Sequence, residues 1–139
     1  MSEQANVSLI MSLYDAFRRG DIATILTHLD PEAELSVEGP SAIPWAGNRR
    51  GSESWEKYFQ AVSDSADEIT VTMQPFAAQG DNVVAAGRVQ ARIKLTGKRI
   101  DTPLVHLWSL RDGRVVRCQE LVDTAATLAA FTAGAAAGR

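Results

Sequence analysis

The chain has a single cysteine, Cys118, so no internal disulfide can form and a disulfide-stapled scaffold is excluded. Its two histidines, His28 and His106, stand far apart, and no paired cysteines occur at metal-ligand spacing. A Gly-rich phosphate loop is missing as well. The expectation is therefore a protein without a metal or other cofactor. No stretch approaches the roughly 20 apolar residues needed to span a bilayer. The opening MSEQANVSLIMSLYDAF has no basic start followed by an unbroken apolar run, so it does not read as a secretory signal. A cytoplasmic protein with no membrane partner is expected. Basic residues are scattered and outnumbered, 14 Lys and Arg against 17 Asp and Glu. With no basic stripe to follow a phosphate backbone, nucleic acid is not an expected partner.

What is present is ordinary globular material. Hydrophobic residues make up 45% and charged residues 22% of 139 positions, enough for one domain to bury a core. That domain is expected over residues 1–132. Residues 133–139 have little to bury and read as a disordered tail.

Val7, Ile10, Met11, Tyr14 and Phe17 fall at helical spacing and predict an amphipathic first helix ended by Gly20. Asp21 is placed to cap a second helix that buries Ile22, Ile25, Leu26 and Leu29 and stops at Asp30-Pro31. A short strand is expected from Ala33 to Glu38, then a long loop through GPSAIPWAGNRRG. Ser52 reads as the N-cap of a third helix whose apolar face is Trp55, Tyr58, Phe59 and Val62.

From Glu68 the period changes to two. Ile69, Val71 and Met73 form one strand, and Val89, Ala91, Ile93 and Leu95 form the next. LVHLWSL and VVRCQELV are joined by Asp112-Gly113 into a hairpin. Asp123 or Thr124 can cap a last short helix carrying Leu128 and Phe131. Helices first and a strand meander afterwards predict an α+β domain, with helices packed on one face of the sheet.

Four stretches, LYDAFRRGD, GPSAIPWAGNRRG, VHLWSLRDGRVV and ELVDTAA, in that order and spacing, resemble the nuclear transport factor 2-like superfamily and within it the SnoaL-like group related to polyketide cyclases. The resemblance runs from about Ser8 to Phe131 and implies a cone-shaped α+β barrel, with the N-terminal helices packed on a strongly curved antiparallel sheet around an internal pocket. It also implies a homodimer formed through the outer face of the sheet. The superfamily hosts isomerases, cyclases, hydratases and proteins without catalysis, so fold alone does not name a reaction.

SnoaL-like cyclases carry an acidic acid/base residue seven positions after the hairpin glycine, and that count from Gly113 reaches Glu120. A carboxylate in an apolar pocket can take up and return a proton near neutral pH. His106, on the preceding strand, stands where the cyclases often have a histidine that polarises the substrate. With a plain two-residue turn Val105 lies opposite Glu120, whereas a three-residue turn with a bulge brings His106 there; Arg-Asp-Gly-Arg permits either.

Tyr14 could turn its hydroxyl into the cavity or serve as a core residue. Trp45 is a candidate lid in a Gly/Pro-rich loop, and Glu38 is a second possible acid near the same mouth. Val105, Trp108 and Cys118 complete the candidate ligand contacts on the two hairpin strands. Trp55, Tyr58 and Phe59 read as packing. Ketosteroid isomerases, another branch, would need an acid where Val105 stands and a base where Val37 or Glu38 falls, so steroid isomerisation is not indicated. Two functions remain open: cofactor-free acid/base chemistry on a hydrophobic carbonyl compound, or non-catalytic binding of a small apolar ligand.

Overall fold

The computed structural model describes residues 1–132, and the expected tail at 133–139 lies outside the described residues. Helix α1 (Glu3–Arg18) is capped by Ser2, whose hydroxyl accepts from the Ala5 N–H at 3.0 Å. Its buried face is Asn6, Ile10, Leu13, Tyr14 and Ala16, while Met11 is exposed. Met11 and Leu13 flank the Ile10–Tyr14 line on opposite sides, and the Leu13 side meets the sheet. The expected stripe is therefore rotated by part of a turn.

Asn6 is only 1% exposed, and neither side-chain polar atom has a partner among the described residues. A buried polar group without a hydrogen bond costs about 1–3 kcal/mol. Asn6→Leu, of similar shape, is expected to raise stability by about 1 kcal/mol in urea denaturation.

Asp21 caps α2 (Ile22–Thr27) by accepting from the Thr24 N–H at 3.1 Å. The helix is shorter than its apolar pattern, because Leu29 already opens strand β1 (Leu29–Val37). Proline biases the preceding residue toward extended backbone, and Asp30-Pro31 accordingly lies inside the strand rather than after a helix. The segment expected as one loop contains a four-residue strand, β2 (Gly47–Arg50), paired antiparallel to β1. Helix α3 (Ser52–Ser65) begins at Ser52 itself. Gly51, at φ 85°, takes the cap position expected for Ser52.

Four long strands follow: β3 (Ala66–Gln79), β4 (Asn82–Ile93), β5 (Arg99–Arg111) and β6 (Arg114–Val122). Leu95, expected in a strand, lies in the β4–β5 turn and is exposed. The sheet order is β2-β1-β6-β5-β4-β3, with β1 parallel to β6 and every other pairing antiparallel. Val83, Ala85, Ala91, Ile93, Ile100, Leu104, Trp108 and Leu110 alternate onto the inner face and are buried there in the core. Gly87, on that face, lies so close to β3 that a Cβ would sit 2.0 Å from the Thr72 carbonyl oxygen. Helix α4 (Thr124–Phe131) is capped by Asp123, which accepts from the Ala126 N–H at 3.0 Å. No described helix is long and apolar enough to cross a membrane.

Candidate functional site

The hairpin register decides which side chains meet. Asp112 and Gly113 have φ of 51° and 76°, the paired left-handed conformation of a two-residue hairpin turn, and Arg111 pairs with Arg114 across it. That turn alone would set Val105 against Glu120. However, Leu110 pairs with Val115 and Ser109 with Arg117, which leaves Val116 as an extra residue in β6. This bulge shifts the remaining ladder by one, so His106 lies opposite Glu120 and Trp108 opposite Cys118. The bulge is thus in the strand, not in the turn. Val105 pairs with Leu121 on the outer face, away from the cavity, which corrects its place among the ligand contacts.

The cavity measures about 130 Å³. Tyr14 reaches it from α1, Tyr58 and Phe59 from α3, Trp45 from the 39–46 segment, and His106, Trp108, Cys118 and Glu120 from the β5–β6 hairpin. Trp45 is buried edge-on against Phe131 of α4, with ring centroids 5.4 Å apart, so it closes one side as an anchored wall. Glu38 lies beyond the end of β1, exposed and outside the cavity lining. Val37, one residue earlier, faces inward beside Glu120 and is apolar.

One chain of hydrogen bonds links the polar lining. The Trp108 indole N–H donates to the Tyr14 hydroxyl oxygen at 2.9 Å, and that hydroxyl lies 2.5 Å from His106 Nδ1. His106 Nε2 is 2.8 Å from Glu120 Oε1. The Tyr58 hydroxyl donates to the same oxygen at 3.2 Å. With Tyr14 donating to Nδ1, the other ring nitrogen, Nε2, carries a proton and donates to the carboxylate. Glu120 Oε2 has no partner among the described residues and remains available to a ligand. No cluster of three metal-binding side chains occurs among the described residues.

Tyr58 is the site residue that sequence reasoning assigned to packing. Its helical spacing with Trp55 and Phe59 identifies its face, but its partner lies 62 residues away and leaves no local signal.

Burial raises the pKa of Tyr14, Tyr58 and Cys118, since their anions would lose solvation; the negative charge of Glu120 adds to the effect on all three. The fold therefore holds the protonated forms. Their stabilising contribution is complete at neutral pH. It is lost as pH rises past 9.0 for the thiol and 10.0 for the phenols, because the unfolded chain then releases those protons. The urea midpoint should fall across this alkaline window, and Tyr58→Phe should make the fall shallower.

An open, curved sheet wrapped by helices around an inward-facing cavity defines a nuclear transport factor 2-like protein. Residues 10–118 match the model of the SnoaL-like domain, and the chain belongs to that family. An uncharacterised protein of Mycobacterium tuberculosis is 31% identical over 130 residues, covering 91% of this chain and 96% of its own. A nuclear transport factor 2-like protein of unknown function from Burkholderia pseudomallei superposes with a TM-score of 0.87 at 25% identity, covering 96% of this chain and all of that one. The structure of TerC co-crystallised with polyporic acid gives a TM-score of 0.83 at 26% identity, covering 91% and 98%.

Proposed function

We propose that this protein performs cofactor-free acid/base chemistry on a small hydrophobic carbonyl compound, with Glu120 taking and returning the proton. One observation carries the reading: Glu120 lines an apolar cavity, with Oε1 held by His106 and Tyr58 and Oε2 unpartnered among the described residues. Two donors on one oxygen orient the carboxylate and leave the other as base. When Oε2 removes a proton from carbon, the C–H bond breaks and its electron pair spreads onto the neighbouring carbonyl. The new Oε2–H then faces that enolate and can return the proton to it. A single carboxylate is a modest base, so the carbon acid must already be activated, as in a β-dicarbonyl.

The co-crystal of TerC with polyporic acid supports a small organic ligand for this cavity. The test is solvent deuterium uptake into a cyclic β-dicarbonyl, followed by NMR. Enzyme-dependent exchange is expected. Ligand binding with no exchange across a set of such compounds would favour the non-catalytic binding reading.

We further propose that two copies pair through the outer sheet face. Val84 and Leu107 are cross-strand neighbours there, and both are more than a third exposed, as is Leu121. Leu107→Lys is expected to give a monomer in analytical ultracentrifugation where the parent chain sediments as a dimer.

A further inference from the structure

The polar lining has an asymmetry that bears on what the cavity can hold. The donors around Glu120 are already committed. Trp108 N–H goes to Tyr14, the Tyr14 hydroxyl to His106, and His106 and Tyr58 both to Glu120 Oε1. The Trp55 indole donates to the Ala33 carbonyl at 3.1 Å, and the Thr127 hydroxyl to the Asp123 carbonyl at 2.9 Å. Two lining donors have no bond among the described residues. One is the Cys118 thiol, which is a weak donor; the other is the Trp45 indole, which belongs to the wall against α4 rather than to the chain around Glu120. What the chain leaves open is an acceptor, Glu120 Oε2.

No lysine or arginine lines the cavity. An anionic ligand would thus meet the carboxylate with no cation in the lining to offset the repulsion; Arg49, whose charge acts on the Tyr58 phenol, is not a lining residue. A ligand offering only a carbonyl oxygen would find no open donor in the hydrogen-bonded group of Trp108, Tyr14, His106 and Tyr58 around Glu120. A neutral hydroxyl satisfies the open acceptor and avoids the cost of stripping water from a charged ligand.

Size and shape narrow the class. A cavity of about 130 Å³ is close to the roughly 150 Å³ apolar cavity that accommodates benzene. The rings of Tyr14, Trp108, Tyr58 and Phe59 offer flat faces and edges for one aromatic or conjugated ring. We infer that the pocket takes a neutral single-ring enol or phenol, bound as hydrogen-bond donor to Glu120 Oε2, and rejects the corresponding anion and four-ring compounds. This names the substrate class of the proposed acid/base site and rests on Glu120 being the acceptor in both.

The experiment titrates the purified protein with phenol, anisole, toluene, benzylamine and a four-ring phenol, reading tryptophan fluorescence. 4-Nitrophenol is followed by absorbance across its ionisation. Phenol should bind at least about tenfold more tightly than anisole or toluene, the worth of one hydrogen bond to a charged acceptor. Glu120→Leu should erase that preference while leaving toluene binding in place. 4-Nitrophenol should bind in its colourless neutral form, with affinity falling as pH rises through its ionisation.

Equal affinity for phenol and anisole, retention of the yellow phenolate on binding, tighter binding of benzylammonium, or comparable binding of the four-ring phenol would each overturn the inference. The wild-type ligand series alone decides it if the variant does not fold. Failure here with deuterium exchange intact would remove the ligand class and keep the catalyst. Donor-selective binding without exchange would do the reverse.

Discussion

Glu120→Gln is expected to lower the rate of solvent-deuterium exchange by a factor of about 10²–10⁴, the usual worth of a positioned general base. The substitution is chosen because it separates chemistry from architecture. A glutamine carbonyl can still accept from His106 Nε2–H and the Tyr58 hydroxyl, the two bonds that hold this side chain in place. Its NH₂ group then occupies the position of Oε2 and has no lone pair available for proton transfer. Stability should change by no more than about 1 kcal/mol in urea denaturation, since no buried donor is orphaned. Glu120→Leu removes both acceptor oxygens and leaves two donors unsatisfied, so it should cost stability as well as activity. An exchange rate unchanged in the glutamine variant, with the fold intact, would take the proton-transfer role away from this residue.

Gly87→Ala should destabilise the protein by about 3 kcal/mol or more, read from the urea midpoint and the thermal transition. The added methyl would lie 2.0 Å from the Thr72 carbonyl oxygen and 2.7 Å from the Met73 Cα. Both are backbone atoms, so no rotamer change relieves the clash and the two strands must separate. The register of β3 against β4 shifts just beyond this point, between Met73 and Phe76, and Phe76 packs edge-on against Tyr14 at 5.8 Å. Moving β3 outward would therefore also loosen the tyrosine that feeds the His106 bond. A loss of less than about 1 kcal/mol would mean that the strands yield more easily than their spacing implies.

Much of this organisation is written in short-range patterns. The 3.6-residue period marks α1 and α3, and the two-residue period marks the meander, because each element buries one face against a common core. Capping chemistry places Asp21 and Asp123 at helix starts, where both act. What is not legible depends on comparing positions distant in sequence. Met11 and Leu13 are equivalent by spacing, and only the neighbouring sheet selects between them. Gly and Pro around Trp45 read as loop, yet β1 offers an edge that recruits Gly47–Arg50 as a strand. Asp112-Gly113 announces a tight turn, but the side chains Val115, Val116 and Arg117 do not reveal which of them is skipped by the ladder. The resemblance to SnoaL-like cyclases, counted from Gly113, reaches Glu120, which lines the cavity. Tyr58 was not reachable, since its partner is set by the closure of α3 over the sheet.

The extra residue at Val116 has an implication for how such a site changes over generations. Substitutions anywhere between Arg114 and Glu120 leave the count of residues untouched, so the carboxylate keeps its inward phase whatever the intervening side chains become. Loss of one residue in that interval removes the bulge and leaves His106 opposite Glu120, whereas gain of one residue reverses the phase of everything after it. After such a gain Gln119 would be presented opposite His106 in place of Glu120. The place of this carboxylate is thus buffered against drift in composition and against loss of the extra residue, and a one-codon insertion is the shortest genetic path that turns it away from the cavity.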